Sequence, residues 1–372
     1  MADLLRSDLV LLAAALTASG LGALLVHSAT RADDGSAYLV RHLLNLGLGL
    51  ALALLVVRLD RTVLRALAPV VYLAGVAGLV LVLTPLGSQI NGSRSWIQLP
   101  GGFSVQPSEL AKVGLCVALP MLLAPAAERR QRPRPREILI AALVTAVPVL
   151  LVLAQPDLGS ALVLVALALG VLVVSGAAWP WLVGVLAAGT AAVTAAFTTP
   201  VLSAYQRDRL TAFLDPATDP LGIGYQTQQV RRAIAGGGWG GQGLYSGELT
   251  SSATIPFQET DFIFSVAGEE LGFVGAAFVI VLLALVVARI ALAGTRSGDP
   301  FVQLVCWAVA SWFAVQAVEN IGMNLGLLPV TGLPLPFLSY GGSSMFACWA
   351  ALGLVVAVTR EARPRRHRPI RS

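Results

Sequence analysis

Five stretches of this chain hold the residue types from which an acid–base or anion-binding site is built. QPSELAK (106–112) sets Glu109 and Lys112 three residues apart, so on a helix they share a face and can pair. Just before it, NGSRSWIQLPGGF (91–103) carries Trp96 among turn-forming glycines. Such a tryptophan suits a membrane interface, or a wall against an apolar or sugar-ring substrate. QPDLGSAL (155–162) offers Asp157, placed to cap the next helix or to face a polar cavity. PFQETDFIF (256–264) brings Glu259 and Asp261 to the threshold of an apolar run that also contains Glu269 and Glu270. Capping by Thr260 or Asp261 accounts for an acid where that run starts, but not for the two deeper acids, which inside a membrane usually face a cavity. PLPFLSYGGSSM (334–345) ends in Gly341, Gly342, Ser343 and Ser344. Their backbone N–H groups at a helix start could hold a phosphate, or the glycines could serve close helix packing.

The elements that must position these residues are membrane helices. The chain is 56% hydrophobic and 12% charged, against about 25% charged in a soluble domain. Apolar runs long enough to cross a bilayer recur throughout. The spacing predicts an all-α, polytopic membrane protein with ten spans, at 8–29, 37–58, 63–85, 108–126, 138–155, 160–177, 179–198, 261–295, 301–325 and 338–360. The 261–295 run exceeds one bilayer thickness, so a tilted helix or one with projecting ends is expected. Prolines and glycines between 326 and 342 imply broken helix, tolerated at membrane depth only where it is buried or lines a cavity.

Arginine placement sets the orientation. The connector AERRQRPRPRE (127–137), Arg6, Arg58, Arg61, Arg65, Arg289, Arg296 and the basic tail fall on one side, which the positive-inside rule makes cytoplasmic together with both termini. The connectors 86–107, 156–159, 199–260 and 326–337 then face outward, and they hold the five stretches. The long 199–260 connector carries AYQRDRLTAFLD, YQTQQVRRAIA and GGGWGGQGL, expected to form short helices on the outer surface.

Several chemistries are excluded. Cys116, Cys306 and Cys348 lie in apolar runs without paired spacing, and His27, His42 and His367 are too dispersed for a zinc motif. Lys112, the sole lysine, precedes Val113, so no phosphate-binding loop of the Walker type exists. Nothing points to nucleic acid. Asp3 and Asp8 spoil a basic leader, so the first run reads as a retained span and not a cleaved signal.

With QPSELAK, QPDLGSAL, TDFIFSVAGEELG and PLPFLSYGGSSM in this order, the chain resembles the SEDS family (shape, elongation, division and sporulation), and its elongation branch most. The resemblance covers nearly the whole chain and implies one transmembrane domain over 1–372. It implies a peptidoglycan glycosyltransferase of the bacterial cytoplasmic membrane. Such an enzyme polymerises lipid II outside that membrane, alongside a class B penicillin-binding protein and other membrane proteins of the elongation machinery. The family's essential acid corresponds to Asp261, and the family also stresses the positions of Trp96, Glu109 and Lys112. One departure stands out. Where the family reads Leu-Pro-Glu-x-His-Thr-Asp, this chain has Ile255-Pro256-Phe257-Gln258-Glu259-Thr260-Asp261. Neither the family's glutamate nor its histidine can be indispensable here, and the weight falls on Asp261.

The implied reaction joins the 4-hydroxyl of an acceptor sugar to the anomeric carbon of a donor, releasing polyprenyl diphosphate. Asp261 is expected as general base, or as ligand of a divalent cation, Mg2+ or Mn2+. Arg207, Arg209, Arg231, Arg232 or Lys112 are expected to face the diphosphate, and Asp157, Glu269, Ser343 and Ser344 to line the cavity with Trp96, Glu109 and Lys112. Two other readings fit ten spans around a polar cavity: a flippase for the lipid-linked precursor, and a non-catalytic scaffold for the crosslinking partner.

Overall fold

Local sequence starts and stops the helices where expected. Pro107, Pro135 and Pro300 each occupy a first helical position, where a missing N–H costs nothing. Asp8 accepts from the Leu11 N–H at 3.2 Å, and Asp299 from those of Phe301 and Val302 at 2.9 and 3.3 Å. Gly326, in the left-handed region at φ 69°, closes the helix that Asp299 opens.

The structure, a computed structural model, describes residues 8–90, 93–98, 104–198, 213 and 222–362. Expectations for Arg207, Arg209, the 204–212 and 214–215 parts of AYQRDRLTAFLD, the turns at 91–92 and 99–103 and the basic tail lie outside the described residues. Within them the chain runs α1 (Leu9–Asp34), α2 (Ala37–Val57), α3 (Arg61–Val82), β1 (Gly87–Ile90), β2 (Ser93–Gln98), β3 (Ser104–Val105), α4 (Pro107–Glu128), α5 (Pro135–Leu153), α6 (Leu158–Val174) and α7 (Trp179–Thr198). It continues through α8 (Ile223–Gly236), α9 (Glu248–Ser251), α10 (Ile263–Thr295), α11 (Pro300–Leu325) and α12 (Gly342–Ala362). Eight of these helices are long and apolar enough to cross a membrane, and α6 and α7 add two shorter apolar stretches. The protein is therefore all-α and polytopic in its body.

Helices α4, α11 and α12 are mostly buried and form the centre of the bundle. Around them α2 packs along α12, α3 along α4, and α10 along both α11 and α1. Small residues let backbones approach, as membrane helices require: a Cβ on Gly75 would lie 2.9 Å from the Ala111 Cα, and one on Gly353 2.8 Å from the Ala53 carbonyl oxygen.

Two features depart from the sequence reading. The 86–107 connector is not only turns: β1, β2 and β3 form an antiparallel sheet in that order, with Trp96 on the middle strand. The long apolar run is not one tilted helix: α10 breaks at Gly272, where φ is 65° and ψ −165°. The glycine cluster explains the break. Residues 238–243 run through it, so that the Gln242 and Gly243 N–H groups donate to the Glu269 and Glu270 carbonyls at 2.9 and 3.0 Å. The Phe273 and Val274 N–H groups in turn donate to the Gly238 and Trp239 carbonyls at 2.8 and 3.2 Å. Every strand of this exchange satisfies backbone groups that lipid could not.

The glycines differ in what they contribute. Gly238 and Gly241 both have positive φ, 55° and 82°. A Cβ at Gly241 would collide with the Glu270 carbonyl, whereas one at Gly238 meets nothing within 4 Å. Gly241→Ala is therefore expected to lower the melting temperature in detergent clearly more than Gly238→Ala, which carries only the backbone cost of about 1–2 kcal/mol. Equal losses would contradict the threaded arrangement.

Candidate active site

Where the PFQETD segment meets α10, a tight turn presents Asp261. The Thr260 and Asp261 N–H groups donate to the Phe257 carbonyl at 3.2 and 3.0 Å, and Phe257 itself is held at φ 58°, a conformation costly for a bulky residue. Capping of α10 by Thr260 or Asp261 is corrected by the structure: the N-cap is Phe262, without a side-chain cap, and the Thr260 hydroxyl turns back to the Phe257 carbonyl. The Asp261 carboxylate is thus half-buried on the wall of a cavity rather than folded over a helix end.

Its main chain is fixed from α11. The Asp261 carbonyl accepts from Asn320 Nδ2 at 2.8 Å and Asn324 Nδ2 at 3.2 Å, and Asn320 also donates to the Leu333 carbonyl at 2.7 Å. Both asparagines are buried. Sequence reasoning passed over them, although Gln316, Asn320 and Asn324 recur every four residues in an apolar span and so mark one polar helix face.

The cavity, about 300 Å³, gathers Trp96, Glu109, Asp157, Asp261 and Ser344 from the expected residues. Asp157 serves both readings: Oδ1 caps α6 through the Ser160 N–H at 2.9 Å, and Oδ2 accepts from Gln106 Nε2 at 3.1 Å. Ser343 joins two elements, accepting from the Gln106 N–H at 2.9 Å and donating to the Ser104 carbonyl at 3.1 Å. Ser108 lies inside α4 and does not cap it; the N-cap position is Gln106.

Lys112 does not line the cavity. Fully buried behind it, Nζ donates to Glu109 Oε1 at 2.7 Å and to Gln316 Oε1 at 3.1 Å, and lies 5.0 Å from the centre of the Trp312 ring. Gln316 Nε2 donates in turn to the Pro334 carbonyl at 2.7 Å. The lysine therefore ties α4 to α11 and to the irregular 326–341 segment, while Glu109, whose buried Oε2 has no hydrogen-bond partner, also borders the cavity.

Other expected residues are placed elsewhere. Glu269 is not a cavity acid: its carboxylate accepts from the Leu249 N–H at 2.7 Å, the Thr250 N–H at 3.0 Å and the Thr250 hydroxyl at 2.7 Å. Glu270 accepts from the Ser28 hydroxyl at 2.5 Å and the Gly247 N–H at 3.4 Å. These two acids fasten the connector onto α10 and α1. Thr250 also accepts from Gln258 Nε2 at 3.1 Å, which carries the fastening to within three residues of Asp261. Hydrogen bonds to a charged group contribute about 1.5–3 kcal/mol, so Glu269→Gln is expected to lower the melting temperature by several degrees and speed proteolysis of the connector. An unchanged melting temperature would return Glu269 to the cavity. Arg231 donates to the Gly326 carbonyl at 2.9 Å and Arg232 is exposed; neither borders the cavity.

Residues the sequence reading missed complete the wall: Arg41 and Asn45 on α2, and Tyr340 before α12. The Tyr340 N–H donates to the Glu259 carbonyl at 2.8 Å, bracing the turn that bears Asp261. A lone arginine one turn into an apolar span was the available signal.

A family model for the FtsW, RodA and SpoVE cell cycle proteins matches residues 8–364. A probable peptidoglycan glycosyltransferase FtsW of Halorhodospira halophila is 43% identical over 321 residues, covering 84% of this chain and 78% of its own. Among solved structures, a chain of a peptidoglycan synthase complex that coordinates polymerization and crosslinking superposes with a TM-score of 0.80 at 39% identity, over 96% of this chain and 98% of that one. The rod shape determining protein RodA of Thermus thermophilus superposes with a TM-score of 0.71 at 33% identity, over 96% and 98%.

Proposed function

Because this chain belongs to the FtsW/RodA/SpoVE family of cell cycle proteins, we propose that it is a peptidoglycan glycosyltransferase that polymerises lipid II with Asp261 as general base. The observation that carries the reading is Asp261 itself: a carboxylate on a cavity wall, outside any helix cap, on a main chain held by Asn320 and Asn324. In the reaction, a bond forms between O4 of the acceptor sugar and C1 of the donor. The bond from C1 to the diphosphate oxygen breaks with its electron pair on that oxygen, and the O4 proton passes to Asp261. The anomeric configuration inverts. Diphosphate leaves without protonation, so one acid suffices where a glycosidase uses two.

Other residues supply position. Trp96 offers a flat apolar face to a sugar ring. Asp157 and Gln106 offer hydrogen bonds to sugar hydroxyls and acetamido groups, with Glu109 at the same wall. Among the described residues no three of His, Cys, Asp and Glu cluster as a metal site. The alternative role for Asp261 is ligand instead of base: its single carboxylate would then hold Mg2+ or Mn2+, and the ion would supply charge relief to the leaving group.

The arginine-rich connectors support the cytoplasmic membrane of a bacterium, with both termini inside and the cavity outward. The match to a synthase complex supports a class B penicillin-binding protein as partner. The resemblance of PLPFLSYGGSSM to the elongation branch supports a role in elongation; relatives named FtsW, that of Halorhodospira halophila among them, favour division as the second reading. Depletion separates them: rounded cells and lateral-wall localisation mark elongation, filaments and midcell localisation mark division.

The activity itself is tested by reconstituting the protein and partner with lipid II and resolving products on a gel, with lipid II translocation measured in the same liposomes. Glycan polymer without accelerated translocation is expected. Translocation without polymer would replace this reading with a flippase, and neither with an intact complex would leave a scaffold.

A further inference from the structure

We infer that the diphosphate of the leaving lipid is seated on Arg41, Asn45 and the first turn of α12, and not on Lys112, Arg231 or Arg232. The inference rests on the glycosyltransferase reading and adds to it the binding residues for its leaving group.

Charge narrows the choice. Among the described residues lining the cavity, Glu109, Asp157 and Asp261 are acids and Arg41 is the one base. A ligand with two or more negative charges is repelled along most of that wall and drawn to the guanidinium, whose planar fork matches phosphate oxygens. The rival cations are engaged or remote: Lys112 is enclosed between Glu109 and Gln316, and Arg231 is bound to the Gly326 carbonyl.

Two further donors stand beside Arg41. Asn45 follows it by one helical turn, on the same face of α2. It is only 5% exposed and borders the cavity, where its amide nitrogen, Nδ2, is the group that can donate to a phosphate oxygen. Its amide sits against the start of α12, where a Cβ on Gly342 would lie 3.3 Å from it. That start is itself cavity wall, through Gly341, Gly342 and Ser344. A helix N-terminus carries about half a positive charge in its unsatisfied N–H groups, and at Gly341 a Cβ would meet only the Ser344 Cβ, at 3.7 Å, which leaves room for a phosphate to approach there.

The seat is rigidly tied to the acid. The Tyr38 and Tyr340 rings pack at 4.9 Å, and the His42 and Tyr340 rings stack at 6.3 Å, which fixes α2 to the segment entering α12. The Tyr340 N–H then holds the Glu259 carbonyl, two residues before Asp261. Leu44 and Leu48, exposed on α2 beyond Arg41, provide an apolar flank along which a polyprenyl chain can lie in the bilayer.

Direct binding of undecaprenyl diphosphate to the full-length protein in nanodiscs tests this, with undecaprenol as the uncharged control and each variant's melting temperature recorded. The wild type is expected to bind the diphosphate and not undecaprenol. Arg41→Ala should weaken binding at least about tenfold, Arg41→Lys and Asn45→Leu by less, and Arg231→Ala not at all. Wild-type affinity in Arg41→Ala and Arg41→Lys, loss in Arg231→Ala, or a wild type that does not bind would each overturn the seat. Lipid II polymerisation is scored separately. Polymer from the wild type with unaltered binding by the Arg41 variants sinks the seat alone; Arg41-dependent binding without polymer sinks the glycosyltransferase reading and leaves a lipid diphosphate site.

Discussion

Asp261→Asn folds like the wild type and makes lipid II polymer at least about a hundredfold more slowly, the lower bound for loss of a positioned general base. The expectation follows from geometry. The carboxylate is not part of a helix cap, and its backbone is held through the carbonyl by Asn320 and Asn324. Replacing the side chain amide-for-acid therefore leaves the turn, the asparagine clamp and α10 in place while removing the proton acceptor. Asp261→Glu keeps the acid but extends it by a methylene, and should recover only part of the rate because a misplacement of about 1 Å can cost on the order of 10²-fold. Single-turnover polymerisation on a gel, with thermal unfolding of each variant, checks both. Full polymer yield from Asp261→Asn would remove the aspartate as base and as cation ligand together.

Lys112→Met is expected to cost about 3–5 kcal/mol of stability, because it leaves the Glu109 carboxylate buried opposite no cation. The side chains of this pair are 0% and 3% exposed, so solvent cannot take over the lost partner. The lysine also holds Gln316, which reaches the Pro334 carbonyl, so the 326–341 segment should loosen with it. The double replacement Lys112→Met with Glu109→Leu removes both charges and should be markedly more stable than the single variant. Melting temperatures of the three proteins in one detergent decide the matter. Were Lys112 a diphosphate contact instead, the single variant would unfold normally and lose substrate affinity.

The helices were legible because each is an apolar run with its own punctuation, as with Pro300 after Asp299 and Gly326 at the far end of α11. Glu109 and Lys112 were legible as a pair because three-residue spacing on a helix leaves them little choice. Glu269 was misread because its partners, Leu249 and Thr250, come from a connector whose return path no local pattern encodes. The break in α10 has the same origin: EELGFVGAA looks continuous until residues 238–243 are laid into it. The three-stranded sheet escaped notice because its strands are short and rich in serine, giving no clear alternation. Asn320, Asn324 and Arg41 could have been found, since each is a polar residue that an apolar helix keeps at a cost.

The most direct test of the central claim is a structure of Asp261→Asn with lipid II bound at both donor and acceptor positions. The account predicts the residue 261 side chain within about 2.6–3.2 Å of the acceptor O4, or linked to it by one water. An acceptor O4 well beyond that reach, with another acid or the Glu109 carboxylate beside it, would contradict the account.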